Sequence, residues 1–183
     1  MRNRTDTHRV ALAVMPGAPI FEVAVPCEVF GIPRPDLVDP WYRLQVCATE
    51  PGAAVGPGFV VGGDAGLEEL VTADTVIVPA CTDVHEQQPA ALVEAAREAH
   101  RRGARIASIC SGAFVLAQAG LLDGRRATTH WMHADELARR YPRVRVDASV
   151  LYTQDDRIHT SAGTAAGIDL CIELVRQDHG TAV

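Results

Sequence analysis

Apolar runs of six or seven residues recur along the chain, each closed by Pro, Gly, Cys or Thr: RVALAVM (9–15), YRLQVCA (42–48), TVIVPA (75–80) and RIASIC (105–110). They are nearly continuous rather than alternating, the pattern of strands buried on both faces of a parallel sheet. Between them, residues 88–102 place apolar side chains at helical spacing, with arginines at the end and Gly103 just beyond. Residues 111–121 and 163–178 read as helices in the same way, and 17–31 does so apart from Pro26. The stretch 144–160 instead alternates apolar and polar positions around two turn signals, which predicts an antiparallel pair or edge ribbon. The pattern as a whole is an α/β sandwich of three layers around a mainly parallel sheet. No repeat, low-complexity tract or linker divides it, so residues 1–183 are expected to form one domain.

Composition narrows the setting. A formal charge of -6 argues against a phosphate-binding surface, since nucleic-acid affinity rests on clustered cations. All 17 basic residues are arginine, and alanine is abundant, which suggests a GC-rich bacterial genome. The opening MRNRTDTHR leads straight into a strand without a signal-type apolar segment, and no run is long enough to span a membrane. The expectation is a cytoplasmic protein. Five cysteines, 27, 47, 81, 110 and 171, contain no CxxC pair and are odd in number, which fits neither a disulfide framework nor a zinc knuckle.

The chemistry concentrates at SICSGAF (108–114). Ligands of open parallel sheets sit outside the carboxyl ends of the strands, and Cys110 falls where strand gives way to helix. Ser108-Ile109-Cys110-Ser111-Gly112 is a small-x-nucleophile-x-Gly pattern, the sharp elbow of other α/β enzymes. A helix starting at Ser111 is expected to aim free N–H groups at the sulfur, lowering the thiol pKa and offering an oxyanion site. Cysteine also commonly fills space in a core.

Two partners for the sulfur stand out. His130 lies in ATTHW (127–131), although a lone histidine is more often structural or superficial. Glu22 sits four residues before Pro26, which removes the N–H that would bond its carbonyl, so the helix should kink there. Protonated beside a thiolate, Glu22 would donate a hydrogen bond to sulfur; otherwise it is an exposed first-turn acid favoured by the helix dipole. If strands 75–80 and 105–110 are neighbours, Cys81 and Cys110 emerge on one edge, and Cys81 could resolve an oxidised Cys110 or be an unrelated buried thiol.

Other candidates are weaker. His130 and His133 with Asp135 could hold a metal, but no second ligand pair supports one, so neither metal nor cofactor is expected. The glycine-rich 56–66 lacks GxGxxG before a helix and reads as a turn plus a short strand. TSAGTAAG (160–167) reads as a helix start capped by Thr160 or Ser161, rich in small residues for anion contact or close packing. Trp131, Phe21 and Ile20 suggest a small, partly apolar ligand.

The stretches SICSGAFVLAQAGLLDGRRATTHW and TSAGTAAGIDLCIELVRQDHG resemble the ThiJ/PfpI superfamily, also called class I glutamine amidotransferase-like. Within it, the chain is similar from about residue 9 onward to the amino-terminal domain of GlxA-type regulators of the AraC family. The resemblance implies a flavodoxin-like sandwich with Cys110 at the elbow, Glu22 as the family's acid on the first helix, and His130 as its histidine. It implies a homodimer, and an effector-sensing and dimerisation domain that binds a small metabolite near Cys110, Ser111, Gly112, Glu22, Cys81, His130 and Trp131. DNA contact would belong to a helix-turn-helix pair of the kind that follows the last helix in full-length regulators. The same motifs are similar to those of isonitrile hydratases, small cysteine hydrolases and glyoxalases. A stand-alone lyase using Cys110, Glu22 and His130 is the alternative, although the hydratases carry aspartate where Glu22 stands.

Overall fold

A computed structural model describes residues 7–62 and 65–183. Its main sheet has six strands: β1 (Arg9–Val14), β2 (Arg43–Ala48), β5 (Thr75–Val78), β6 (Arg105–Ile109), β9 (Tyr152–Asp155) and β10 (Ile158–Ser161). Two small pairs stand beside it, β3 (Ala54–Val55) with β4 (Phe59–Val60), and β7 (Arg126–Ala127) with β8 (Arg145–Val146). The helices are α1 (Ile20–Gly31), α2 (Glu68–Thr72), α3 (Ala90–Arg101), α4 (Ala113–Gln118), α5 (Ala134–Arg140) and α6 (Ala166–His179).

The sheet order is β2-β1-β5-β6-β10-β9, parallel throughout except for β9. The chain goes from β1 to β2 on one side and then crosses to β5 on the other side of β1, a topological switch of the flavodoxin-like kind. The four continuous apolar runs are strands, as their composition predicts. The ribbon expected over 144–160 is half right: β9 and β10 do pair antiparallel, but β10 also joins β6 in parallel and lies inside the sheet. Its Ile158, His159, Thr160 and Ser161 are all buried, so the polar residues of this segment face protein rather than water.

The core is two layers. Leu70, Leu92, Phe114, Leu116 and Leu137 from α2 to α5 pack on one face of the sheet with Ile106 and Val76. Val23 and Phe30 of α1, with Leu170 and Leu174 of α6, pack on the other face against Leu12, Ile77 and Ile109. Helix α3 is strongly amphipathic, burying Leu92, Val93, Ala96 and Ala99 and ending in Arg101 before Gly103, whose φ of 107° is left-handed. No helix among the described residues is long and apolar enough to cross a membrane.

One buried polar group makes stability pH-dependent. His159 is 1% exposed on β10, and its Nδ1 has no partner among the described residues. Burial, with the nearby positive charge of Arg105, depresses its pKa to about 4. An unfolded chain takes up this proton near pH 6.5, so the stability present above that pH is lost progressively as pH falls towards 4. The loss should reach about 3 kcal/mol. Urea unfolding at pH 7 and pH 4.5 checks it: His159→Gln should flatten the pH dependence, and an equally steep variant would rule the assignment out.

Candidate functional site

The carboxyl ends of β5 and β10 flank that of β6, which leads into Cys110. β6 ends at Ile109, and Cys110 follows with φ 58°, a left-handed conformation that costs a non-glycine residue roughly 1–2 kcal/mol. The chain turns through a short 3-10 segment, Cys110–Gly112, directly into α4. This helix ends at Gln118 rather than running to residue 121. The small residues around Cys110 have a steric cause: a Cβ on Gly112 would lie 2.3 Å from the carbonyl oxygen of Val78 and 2.5 Å from that of Pro79.

Hydrogen bonds hold the turn in place. The Ser111 hydroxyl donates to the Cys81 carbonyl at 3.1 Å, and the Cys81 thiol donates to the Ser111 carbonyl at 3.3 Å, so β5 and β6 are cross-tied just past their ends. Thr129 Oγ1 donates to the Cys110 carbonyl at 2.8 Å. The Thr128 N–H donates to Thr160 Oγ1 at 2.7 Å, and Thr160 bonds in turn with Thr153 Oγ1 at 2.8 Å. This buried hydroxyl chain accounts for Thr160 as a strand residue, and Ser161 Oγ donates instead to the Ser108 carbonyl at 3.5 Å. The capping role expected of them is not what the structure shows: α6 begins at Ala166 after Ala165, with no side-chain cap.

The sulfur is not the activated thiolate that its position predicts. Burial pushes Cys110 up to about 11; the Ser111 and Thr164 backbone N–H groups act in the opposite direction, and the Glu22 carboxylate adds to the rise. Desolvation of a thiolate in this apolar corner outweighs the stabilisation from the helix start. Roughly one Cys110 in a thousand is therefore ionised at pH 8. Its rate of alkylation by iodoacetamide should climb about tenfold per pH unit from 7.5 to 10 without a plateau. A plateau below pH 8 would contradict this picture.

The predicted partners are placed as follows. Glu22 lies in the first turn of α1 and is 5% exposed, so it is not the exposed first-turn acid of the alternative reading. It is close enough to Cys110 for its charge to act on the sulfur, and α1 is continuous through Pro26. His130 precedes a 3-10 turn, Trp131–His133, and its Nδ1 accepts the Met132 N–H at 3.3 Å. A neutral imidazole so engaged carries its proton on Nε2. His130 and His133 lie 5.7 Å apart by ring centroid, and burial followed by the charge of His130 holds His133 below the usual histidine value. Trp131 sits beside His130 but is 71% exposed, and Phe21 is partly exposed. Cys81 is buried, and burial raises its pKa. β5 and β6 are neighbours, so Cys81 and Cys110 do emerge on one edge. Gly163, within the TSAGTAAG stretch that reads as a helix start, lies against the His130 ring.

Residues 8–177 match the model of the DJ-1/PfpI family. The chain belongs to this family. It is 39% identical over 140 residues to the HTH-type transcriptional regulator CdhR of Pseudomonas aeruginosa, covering 76% of this chain and 41% of that protein. An uncharacterized protein of Streptomyces lividans, encoded in the cpoL 5' region, is 40% identical over 139 residues, covering 74% of this chain and 96% of the relative. Among solved structures, a putative transcriptional regulator protein from Vibrio parahaemolyticus superposes with a TM-score of 0.85 at 21% identity, covering 96% of this chain and 94% of that one. The relatives of this DJ-1/PfpI domain thus include HTH-type regulators of the CdhR and GlxA kind. The chain spans less than half the length of CdhR.

Proposed function

We propose that this DJ-1/PfpI domain is the effector-sensing and dimerisation domain of a GlxA/CdhR-type transcriptional regulator, binding a small metabolite beside Cys110. The observation that carries the reading is the likeness to the regulator CdhR along most of the chain, with Cys110 held buried at a strained turn where it can act as a contact group. A nucleophile for turnover needs a thiolate, whereas a contact group for a ligand does not. Buried Glu22 offers hydrogen-bond acceptors from α1, and His130 Nε2–H offers a donor. The 39% identity to CdhR over most of the chain supports the regulator assignment. DNA contact is assigned to a helix-turn-helix segment beyond residue 183, and the homodimer would bring two such segments together.

The test is thermal unfolding against a panel of small metabolites, with isonitriles and reactive aldehydes included and turnover followed in parallel. A sensing domain should gain several degrees of Tm with one chemical class, with no product formed. Hydration of an isonitrile, abolished by Cys110→Ala, would replace this reading with that of a lyase. Reading the source gene for ~150 codons past Val183, the length two helix-turn-helix units need, gives a second check. An immediate stop codon there would refute the regulator assignment.

A further inference from the structure

The turn between β10 and α6 places its two least expected residues side by side. Gly163 is not in the left-handed region, so its backbone conformation is open to any residue. Thr164, next to it, is a β-branched residue held at φ 48°, where glycine is favoured. The chain thus carries glycine where the backbone does not require it and threonine where the backbone disfavours it.

The explanation for Gly163 lies across the site. A Cβ there would sit 1.9 Å from Cδ2 of His130, 2.8 Å from its Nε2 and 2.9 Å from its Cγ. The imidazole therefore rests directly on the bare glycine, and any side chain at 163 must displace the ring. The ring's other nitrogen is fixed by the Met132 N–H, so the glycine and this N–H together define how the ring lies. The turn is itself anchored to α6, with Ala166 N–H donating to the Gly163 carbonyl at 3.2 Å and Gly167 N–H to the Thr164 carbonyl at 3.0 Å. Strain of this kind persists where surrounding structure over-determines the conformation, and here the tie to α6 does so.

We infer that Gly163 is a positioning residue: it seats the His130 ring, so that the turn before α6 sets how this side chain lies in the site it shares with Cys110. The inference rests on the reading that Cys110 and His130 belong to one effector site.

A double-mutant cycle tests it without any ligand, so its outcome is separable from that of the metabolite screen. Gly163→Ala should shift the Cε1–H resonance of His130 and change the rate of Cys110 alkylation at fixed pH at least threefold. In the His130→Ala background the space is vacant, so adding Gly163→Ala should change the alkylation rate by less than a factor of 1.5. His130→Ala also relieves any folding defect caused by overlap, which keeps the cycle readable. An unmoved His130 resonance in Gly163→Ala, or a full alkylation effect that survives in the double variant, overturns the inference.

Discussion

Gly112→Ala should be among the most damaging single substitutions in this protein, lowering unfolding stability by at least about 3 kcal/mol. The added methyl would be placed 2.3 Å and 2.5 Å from two carbonyl oxygens at the end of β5. These are backbone atoms, fixed by the pairing of β5 with β6, so no rotamer change relieves the overlap. The cost is not conformational, because Gly112 has helical angles of φ -56° and ψ -20°. Gly124→Ala is the contrasting control: its φ of 73° penalises alanine, but nothing lies within 4 Å of the new Cβ. That variant should lose only about 1 kcal/mol. Urea denaturation of both distinguishes crowding from backbone strain. If Gly112→Ala unfolds within a few tenths of a kcal/mol of the parent, the turn before α4 can widen and the explanation of the elbow fails.

Asp178→Ala should cost about 3–5 kcal/mol, through a different mechanism. At the far end of α6, Arg105 donates to both carboxylate oxygens of Asp178, Nη1 at 2.9 Å and Nη2 at 2.6 Å. The Tyr42 hydroxyl adds a third bond at 2.7 Å, and Arg105 Nε reaches Thr75 Oγ1 at 3.1 Å. The side chains of Arg105 and Asp178 are only 12% and 18% exposed, so removing the acid leaves a guanidinium largely out of water with its charge unanswered. Tyr42→Phe removes one donor and leaves the ion pair intact; it should cost about 1 kcal/mol. Burial alone would raise the Asp178 carboxyl, but the hydrogen bonds and charge of Arg105 hold it below the usual aspartate value. A depressed acid contributes stability that is present above the ordinary carboxylate range and is lost as pH falls through the folded value. The gap between parent and Asp178→Ala should therefore be full at pH 7 and shrink below about pH 4. A gap that is unchanged at pH 3 would show that packing, not charge, accounts for it.

The sheet was legible in the sequence because β1, β5 and β6 are apolar on both faces, which leaves little choice of element, whereas β2, read the same way, is an edge strand that is only partly buried. Helices α2 and α5 were not, since five- and seven-residue helices are too short to show a period. Cys110 was identifiable from its small neighbours, and Gly112 shows why they are small. The ionisation of its thiol is not legible there, because a helix start is visible in sequence whereas the burial that opposes it is not. Gly163 was lost among the small residues of TSAGTAAG for a similar reason: its partner His130 is 33 residues earlier, and only the fold brings the two into contact.

Helix α6 is fastened at both ends. Its first turn bonds back to the Gly163 and Thr164 carbonyls, and twelve residues after Ala166 Asp178 is clasped by Arg105 and Tyr42 at the opposite pole of the sheet. At 1.5 Å per residue the helix is about 21 Å long, and α-helices are stiff along their axis. It works as a tie rod: a slide of one ångström at the Cys110 pole must either stretch the 2.6 Å ion pair at the other pole or carry Arg105 and the foot of β6 with it. The two poles of the domain thus cannot be displaced independently along that axis.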